Sequence, residues 1–150
     1  LLFKLFTEHE IAIIIGLYPA VWGLGQLFTG RMADKYNNKK MLVYGMILQA
    51  AAILSIPYIN IAWGLYLAAT ILGIGTALVY PTFLVIVSRH SHPEHRAESI
   101  GVFRLWRDSG YAIGALFSGI MADQFGIDYA IVSIGIITLL SSLVIQFRMD

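Results

Sequence analysis

The sequence contains no cysteine, which excludes disulfides, thiol nucleophiles and thiolate metal sites. Charge is scarce as well. Asp, Glu, Lys and Arg make up 13% of the 150 residues, against about a quarter in a soluble domain. Half the usual charge does not keep a soluble surface wet. With 58% hydrophobic residues and a mean hydropathy of +0.74, hydrocarbon is the better solvent. The net charge is +1, and no basic stripe interleaved with aromatics is present, so nothing points to nucleic acid. No basic segment precedes a short apolar one at the start, and no signal peptide is expected. Because the first residue is Leu1 rather than Met, the chain reads as a fragment of a longer product. Period-two alternation is also missing, and an open sheet edge cannot face lipid, so strands are not expected.

What is abundant is long apolar runs. A spanning helix needs about 20 apolar residues. Ile11 to Gly30 carries no Asp, Glu, Lys, Arg or His, nor does Met41 to Ser88, which is long enough for two spans. Pro57 and Asn60 punctuate that second run, and Tyr58 and Trp63 suit a membrane interface. Ser109 to Ala122 is a shorter neutral run, extended towards its N-terminus by charged helix. Tyr129 to Phe147 is the last. The pattern predicts an all-α, polytopic integral membrane bundle with five spans, at 9–33, 40–59, 61–88, 97–124 and 128–148. Leu1 to Phe6 read as the end of a preceding helix.

The cations fix an expected orientation. Arg31, Lys35, Lys39 and Lys40 lie in the loop after the first span. Arg89, Arg96, Arg104 and Arg107 lie in or just after the third connection, and Arg148 is near the end. Lys4 alone among the basic residues falls on the other side, and the turns near Asn60 and from Asp123 to Asp128 carry no Lys or Arg. By the positive-inside rule the loops 31–40 and 89–96 and the C-terminus are cytoplasmic.

The loop Gly30-Arg31-Met32-Ala33-Asp34-Lys35-Tyr36-Asn37-Asn38-Lys39-Lys40 closes a hairpin between long helices. Gly30 is expected to let the helix ends approach, Asp34 to cap a helix N-terminus, and Asn37 to tolerate a left-handed backbone. The pattern of Gly30, Asp34, Lys35, Lys39 and Lys40 resembles the signature loop of the major facilitator superfamily, with Asn37 where the family usually has Gly and Asn38 where it often has Arg. Tyr18-Pro19-Ala20-Val21-Trp22-Gly23-Leu24-Gly25-Gln26 resembles the eighth helix of bacterial efflux-type members. Gly101 to Gly114 resembles the eleventh. Span 61–88 lacks the Arg that the fourth helix of the N-terminal half often carries, so the likeness is to the C-terminal half, helices eight to twelve with the end of seven. An echo supports a repeat-built fold: Gly30 to Asn37 recurs in outline as Gly119-Ile120-Met121-Ala122-Asp123-Gln124-Phe125-Gly126.

This resemblance implies half of a secondary active transporter in a bacterial inner membrane. Such a protein moves a small organic solute by alternating access, with export of drugs or sugars by antiport against protons as the expectation. The implied partners are that solute, the lipid bilayer and the missing N-terminal half; no transport is expected from this segment alone. No cofactor is expected. By the same analogy spans 9–33, 61–88 and 97–124 face the cavity, while 40–59 and 128–148 stand outside.

Within that frame several residues are candidates. Tyr18, Trp22 and Gln26 recur every four residues on one helical face, which Pro19 could bend, and would offer an amphipathic solute stacking surface and hydrogen bonds. Tyr111 with Trp106, and Tyr80 with Pro81, are further pocket or gate candidates. Core packing explains such an aromatic stripe equally well. Gly110, Gly114, Ser118 and Gly119 form small-residue pairs suited to close helix packing, either static or as a sliding contact between halves. Arg104, Arg107 and Asp108 share one helix, and the spacing of four makes an Arg104–Asp108 pair easy. Counted from Ala97, Arg104 lies ~10 Å and Asp108 ~16 Å along it, so these charges should face protein or a water-filled cavity. An intracellular gate or interface ion pair is the plainer role for them, and proton coupling or substrate binding the sharper one. Gln49 is expected to make an interhelical hydrogen bond.

Two other classes of function compete with transport. His90, His92 and His95 cluster in one loop, but no spacing there matches a metal site, and the loop reads as a solvated linker. An intramembrane enzyme needs a nucleophile with a base at depth, yet every His lies outside the spans. A non-transporting scaffold or channel remains the alternative to a transporter, and enzymatic activity is not expected.

Overall fold

The structure, a computed structural model, describes residues 6–149. The expected helix end at Leu1 to Phe6 lies almost wholly outside the described residues; Phe6 itself sits in a bend before the first helix. Five α-helices follow one another: α1 (Glu8–Lys35), α2 (Asn38–Ser55), α3 (Ala62–His90), α4 (Arg96–Phe125) and α5 (Ile127–Arg148). Among the described residues there is no strand. Each helix matches an expected span to within a few residues at either end.

Local chemistry sets the ends. Thr7 caps α1, its hydroxyl accepting from the Glu10 N–H at 3.3 Å while the Glu10 carboxylate accepts from the Thr7 N–H at 2.8 Å, a reciprocal capping box that satisfies two otherwise unpaired donors. Asn37 caps α2, its Oδ1 accepting from the Lys40 N–H at 3.0 Å. Pro57 sits in a 3-10 turn, Ile56–Tyr58, that ends α2, and Pro93 begins another, Pro93–His95, that leads into α4. Between α4 and α5 stands Gly126 alone, at φ 99° and ψ 161°, a backbone region open essentially only to glycine.

Two expectations for the signature loop are corrected here. Asp34 is not a cap, because it lies in the last turn of α1 and Asn37 performs the capping. Asn37 is not left-handed either: its φ is −65°, since an N-cap takes extended backbone. The echo between Gly30–Asn37 and Gly119–Gly126 falls on equivalent places, the ends of α1 and α4. Asn38 begins α2 and Ile127 begins α5 at the same offset. Only the turn differs, with an Asn cap in one and a glycine-only conformation in the other.

Packing is organised around α3, which lies against α1 and α2, while α5 lies against α2 and α4. Close approach depends on glycine and alanine. A Cβ on Gly75 would stand 2.7 Å from the Gly45 carbonyl oxygen, and one on Gly73 would stand 2.9 Å from that of Tyr18. On α1 the contact stripe is Gly25, Thr29 and Ala33, one residue per turn; a Cβ on Gly25 would meet Ala77 at 2.8 Å, and Thr29 and Ala33 are buried. Pro81 lies inside α3 and has no N–H to offer the Ala77 carbonyl four residues back. The Thr29 hydroxyl donates to that carbonyl at 2.6 Å. A carbonyl that hydrocarbon would leave stranded is thus satisfied across the helix seam. Gln49 Nε2 donates to Thr76 Oγ1 at 3.3 Å, joining α2 to α3 as expected.

The small residues singled out on α4 behave differently. A Cβ on Gly110, Gly114 or Gly119 would meet nothing within 4 Å, and the same holds for Gly30. Ser118 donates to the Gly114 carbonyl of its own helix. Within this chain the tight packing falls on α1, α2, α3 and α5 instead, where Gly45, Gly73 and Gly75 face a backbone oxygen, Gly25 faces the Ala77 Cβ and Gly135 faces the Leu54 side chain. Four helices, α1, α2 with its 3-10 extension, α3 and α5, are long and apolar enough to cross a membrane. Helix α4 has 30 residues but carries Arg96, Glu98, Arg104, Arg107, Asp108 and Asp123, so it matches the expected span 97–124 in length and not in apolar character.

Candidate functional site at the junction of three helices

The charges on α4 meet the aromatic stripe of α1 through α3. Arg107 donates from Nε to Asp108 Oδ1 at 2.8 Å, and its Nη2 lies 2.8 Å from the same oxygen. Its Nη1 donates to the Tyr80 hydroxyl at 3.0 Å, and the guanidinium carbon stands 5.3 Å from the Tyr80 ring centre. Tyr80 meets Trp22 edge-on with ring centres 6.2 Å apart, and Trp22 stacks on Tyr18 at the same separation. The chain of contacts therefore runs Asp108, Arg107, Tyr80, Trp22, Tyr18, from α4 through α3 to α1. Phe83 and Phe103, 5.8 Å apart, brace α3 against α4 beside it.

The expected Arg104–Asp108 pair is not formed. Neighbouring residues on a helix do not normally face each other, but Tyr80 holds the Arg107 guanidinium and the long side chain folds back to Asp108. Arg104 is exposed. The pair is uneven: the Arg107 side chain is 27% exposed and that of Asp108 59%. A planar guanidinium serves here as a fork, taking a carboxylate on one edge and a phenol on the other.

Trp22 contributes a second feature. Its indole N–H is buried and has no acceptor among the described residues, although buried indole donors ordinarily find one. Tyr18, its stacking partner, also lines an apolar cleft of about 400 Å³ with Ile11, Ile14, Leu65, Ala68 and Leu72. Gln26 lies half-buried one turn beyond Trp22, outside the contact chain. Tyr111 and Trp106 are exposed on α4 and do not join it. Nothing in the sequence ranks Tyr80 above Tyr111 as a candidate; its place between Trp22 and Arg107 is a tertiary fact, though the Tyr80-Pro81 dipeptide marks the position.

The signature loop is held by a different pair. Arg89 Nη2 lies 3.6 Å from Asp34 Oδ1 and donates to the Asp34 carbonyl at 3.3 Å. An acid in the last turn of a helix opposes the dipole, and Arg89 from the end of α3 offsets it. Both partners are at least half exposed, so the pair is worth about 1 kcal/mol or less. Its geometry matters more. It shows that the C-terminal ends of α1 and α3 lie together. Lys39 and Lys40 share a cleft with Gln146, so the start of α2 and the end of α5 lie at that end also. His92 and His95 pair with Glu94 and Glu98 at 4.0 and 3.4 Å, and no metal-holding group of three occurs among the described residues.

Long apolar helices, small-residue seams and an ion pair on α4 tied through Tyr80 of α3 to the aromatic stripe of α1 define a polytopic helical membrane protein. Residues 4–149 match the Major Facilitator Superfamily, and the chain belongs to that family. It is similar to an uncharacterised MFS-type transporter of Methanocaldococcus jannaschii, with 23% identity over 96% of this chain and 37% of that protein. It is also similar to the inner membrane transport protein YnfM of Escherichia coli, 26% identical over 91% of this chain and 33% of that one. The multidrug resistance protein MdtH of Yersinia enterocolitica is 31% identical over 71% of this chain and 26% of its own length. The chain spans about a third of the curated relatives it matches. No solved structure matches.

Proposed function

We propose that these helices form the C-terminal half of a secondary active transporter that exports a small organic solute by alternating access, driven by an inward proton gradient. The observation that carries this reading is the contact chain from Asp108 to Tyr18, because it joins the three helices expected, by analogy with the family, to face a central cavity. In this reading Tyr18 and Trp22 offer the solute a stacking face, and the Trp22 N–H gives it a hydrogen bond. Gln26 and Tyr111 complete the wall once the other half is present. Arg107 and Asp108 act as a charged gate or coupling pair. Gly110, Gly114, Ser118 and Gly119 meet the other half. The loop with Gly30, Asp34, Lys35, Lys39 and Lys40 stands on the cytoplasmic side, as does the C-terminus. The name of MdtH supports drugs as one solute class.

The test uses the full-length protein in cells, with retention of amphipathic dyes, ethidium among them, measured with and without a protonophore. Dye retention should rise when the gradient is collapsed, and Trp22→Ala should raise it comparably with the gradient intact. A non-transporting scaffold or channel would give the same retention in wild type, variant and protonophore-treated cells.

A further inference from the structure

A cleft away from that junction has the chemistry of an anion site. It has a volume of about 370 Å³ and lies between the start of α2 and the end of α5, lined by Asn37, Lys39, Lys40, Val43, Tyr44 and Gln146. Every polar side chain in that set carries a hydrogen-bond donor, two are cations, and none is a carboxylate. Asn37 spends its Oδ1 on the Lys40 N–H, leaving its amide donors for other partners. Lys39 is half-buried and Lys40 exposed.

The surroundings point to a particular anion. On the helix faces that line the cleft, Ile47, four residues on from Val43, and Leu143 and Leu139, three and seven residues before Gln146, are exposed in turn. A donor-rich pocket continued by an apolar wall is the shape of a headgroup with its acyl chains, not of a free ion. We propose that this cleft binds the phosphate of an anionic glycerophospholipid in the inner leaflet, with the lipid tails lying along α2 and α5. The inference rests on the orientation given under the proposed function. Lys39 and Lys40 supply the charge, while Tyr44 and Gln146 supply oriented donors. The corresponding corner at the start of α5, at the other end of the bundle, carries Asp128 and no cation.

The experiment uses purified, delipidated full-length protein in detergent, titrated with phosphatidylglycerol, phosphatidylcholine or inorganic phosphate and read by native mass spectrometry. Phosphatidylglycerol should be retained selectively. Lys39→Gln and Lys40→Gln should each weaken it about fivefold, the worth of one cation near an anionic surface. Lys35→Gln, in the same loop but outside the cleft, should leave it unchanged. Equal retention of phosphatidylcholine, or an equal loss with Lys35→Gln, would overturn the site, the second because it reduces the effect to loop charge. Competition by inorganic phosphate at the same concentration would replace the lipid by a soluble anion. Helix content by circular dichroism keeps misfolded variants out of the comparison. Transport that survives while lipid selectivity is absent would sink this inference alone; external labelling of Lys39→Cys would sink the orientation beneath it.

Discussion

Helices α3 and α4 are nearly equal in length, 29 and 30 residues, and both carry glycine and alanine at close spacing, yet they pack in opposite ways. Helix α3 buries Leu65, Ala68, Ala69, Gly73, Gly75, Ala77 and Thr82, whereas α4 buries no residue among those described. The difference lies in what stands opposite. In lipid, apolar burial supplies little drive between helices, so small residues stabilise only where they admit a neighbouring backbone or a hydrogen bond. Gly75 faces the Gly45 carbonyl, and Ala77 offers a carbonyl to Thr29. Gly114 faces open space and Arg107 reaches out of α4 to find Tyr80. A helix with this charge is costly to surround with hydrocarbon, so the bare side of α4 belongs against other protein or water.

The contrast can be broken at its strongest point by Gly75→Val. The added side chain meets backbone that cannot give, and the cost should reach about 3 kcal/mol, the upper part of the overpacking range. It would appear as a clear drop in the thermal midpoint of the full-length protein in detergent. An unchanged midpoint would deny the α2–α3 seam.

Thr29→Val should cost about 1–2 kcal/mol, because it strands the Ala77 carbonyl that Pro81 leaves without a helical donor. The sharper form is a cycle with Pro81→Ala, which restores that donor. On the Pro81→Ala background the same Thr29→Val change should cost much less, and equal costs on both backgrounds would show that the hydroxyl serves something else. Gln49→Leu, removing the bond to Thr76, should cost about 0.6 kcal/mol, the average for a hydrogen bond between membrane helices. Smallest of all, Gly114→Ala should change the stability of the isolated bundle by only a few tenths of a kcal/mol, since its Cβ meets nothing in this chain. If it proved as damaging there as Gly75→Val, α4 would be packing through that face after all.

Helix positions were legible because charge, proline and asparagine punctuate the apolar runs, and each of those has a local physical meaning that survives in the fold. Pro57 and Pro93 both fall in 3-10 turns at the connections. The capping of α2 was misassigned by three residues because Asp and Asn are both good caps, and only the register of the first turn selects Asn37 over Asp34. Partners were harder to read. Spacing allowed Arg104 to reach Asp108, but the choice of Arg107 depends on Tyr80, which another helix delivers. The stripe Gly25, Thr29, Ala33 has the same spacing as Gly110, Gly114, Ser118. Spacing shows that a helix could approach and does not show which face has one.

The arrangement of the bundle's two ends is the claim on which orientation, gate and lipid site all depend. The cation-bearing ends of α1, α2, α3 and α5 gather at one end, as the Arg89–Asp34 pair and the α2–α5 cleft show. Because this chain has no cysteine, the claim can be read by single substitutions in the full-length protein, with any cysteine upstream replaced by serine. Lys39→Cys and Asn60→Cys would be exposed to a membrane-impermeant maleimide on intact cells. The account predicts that Asn60→Cys is modified and Lys39→Cys is protected until the membrane is opened. Modification of Lys39→Cys from outside would contradict it.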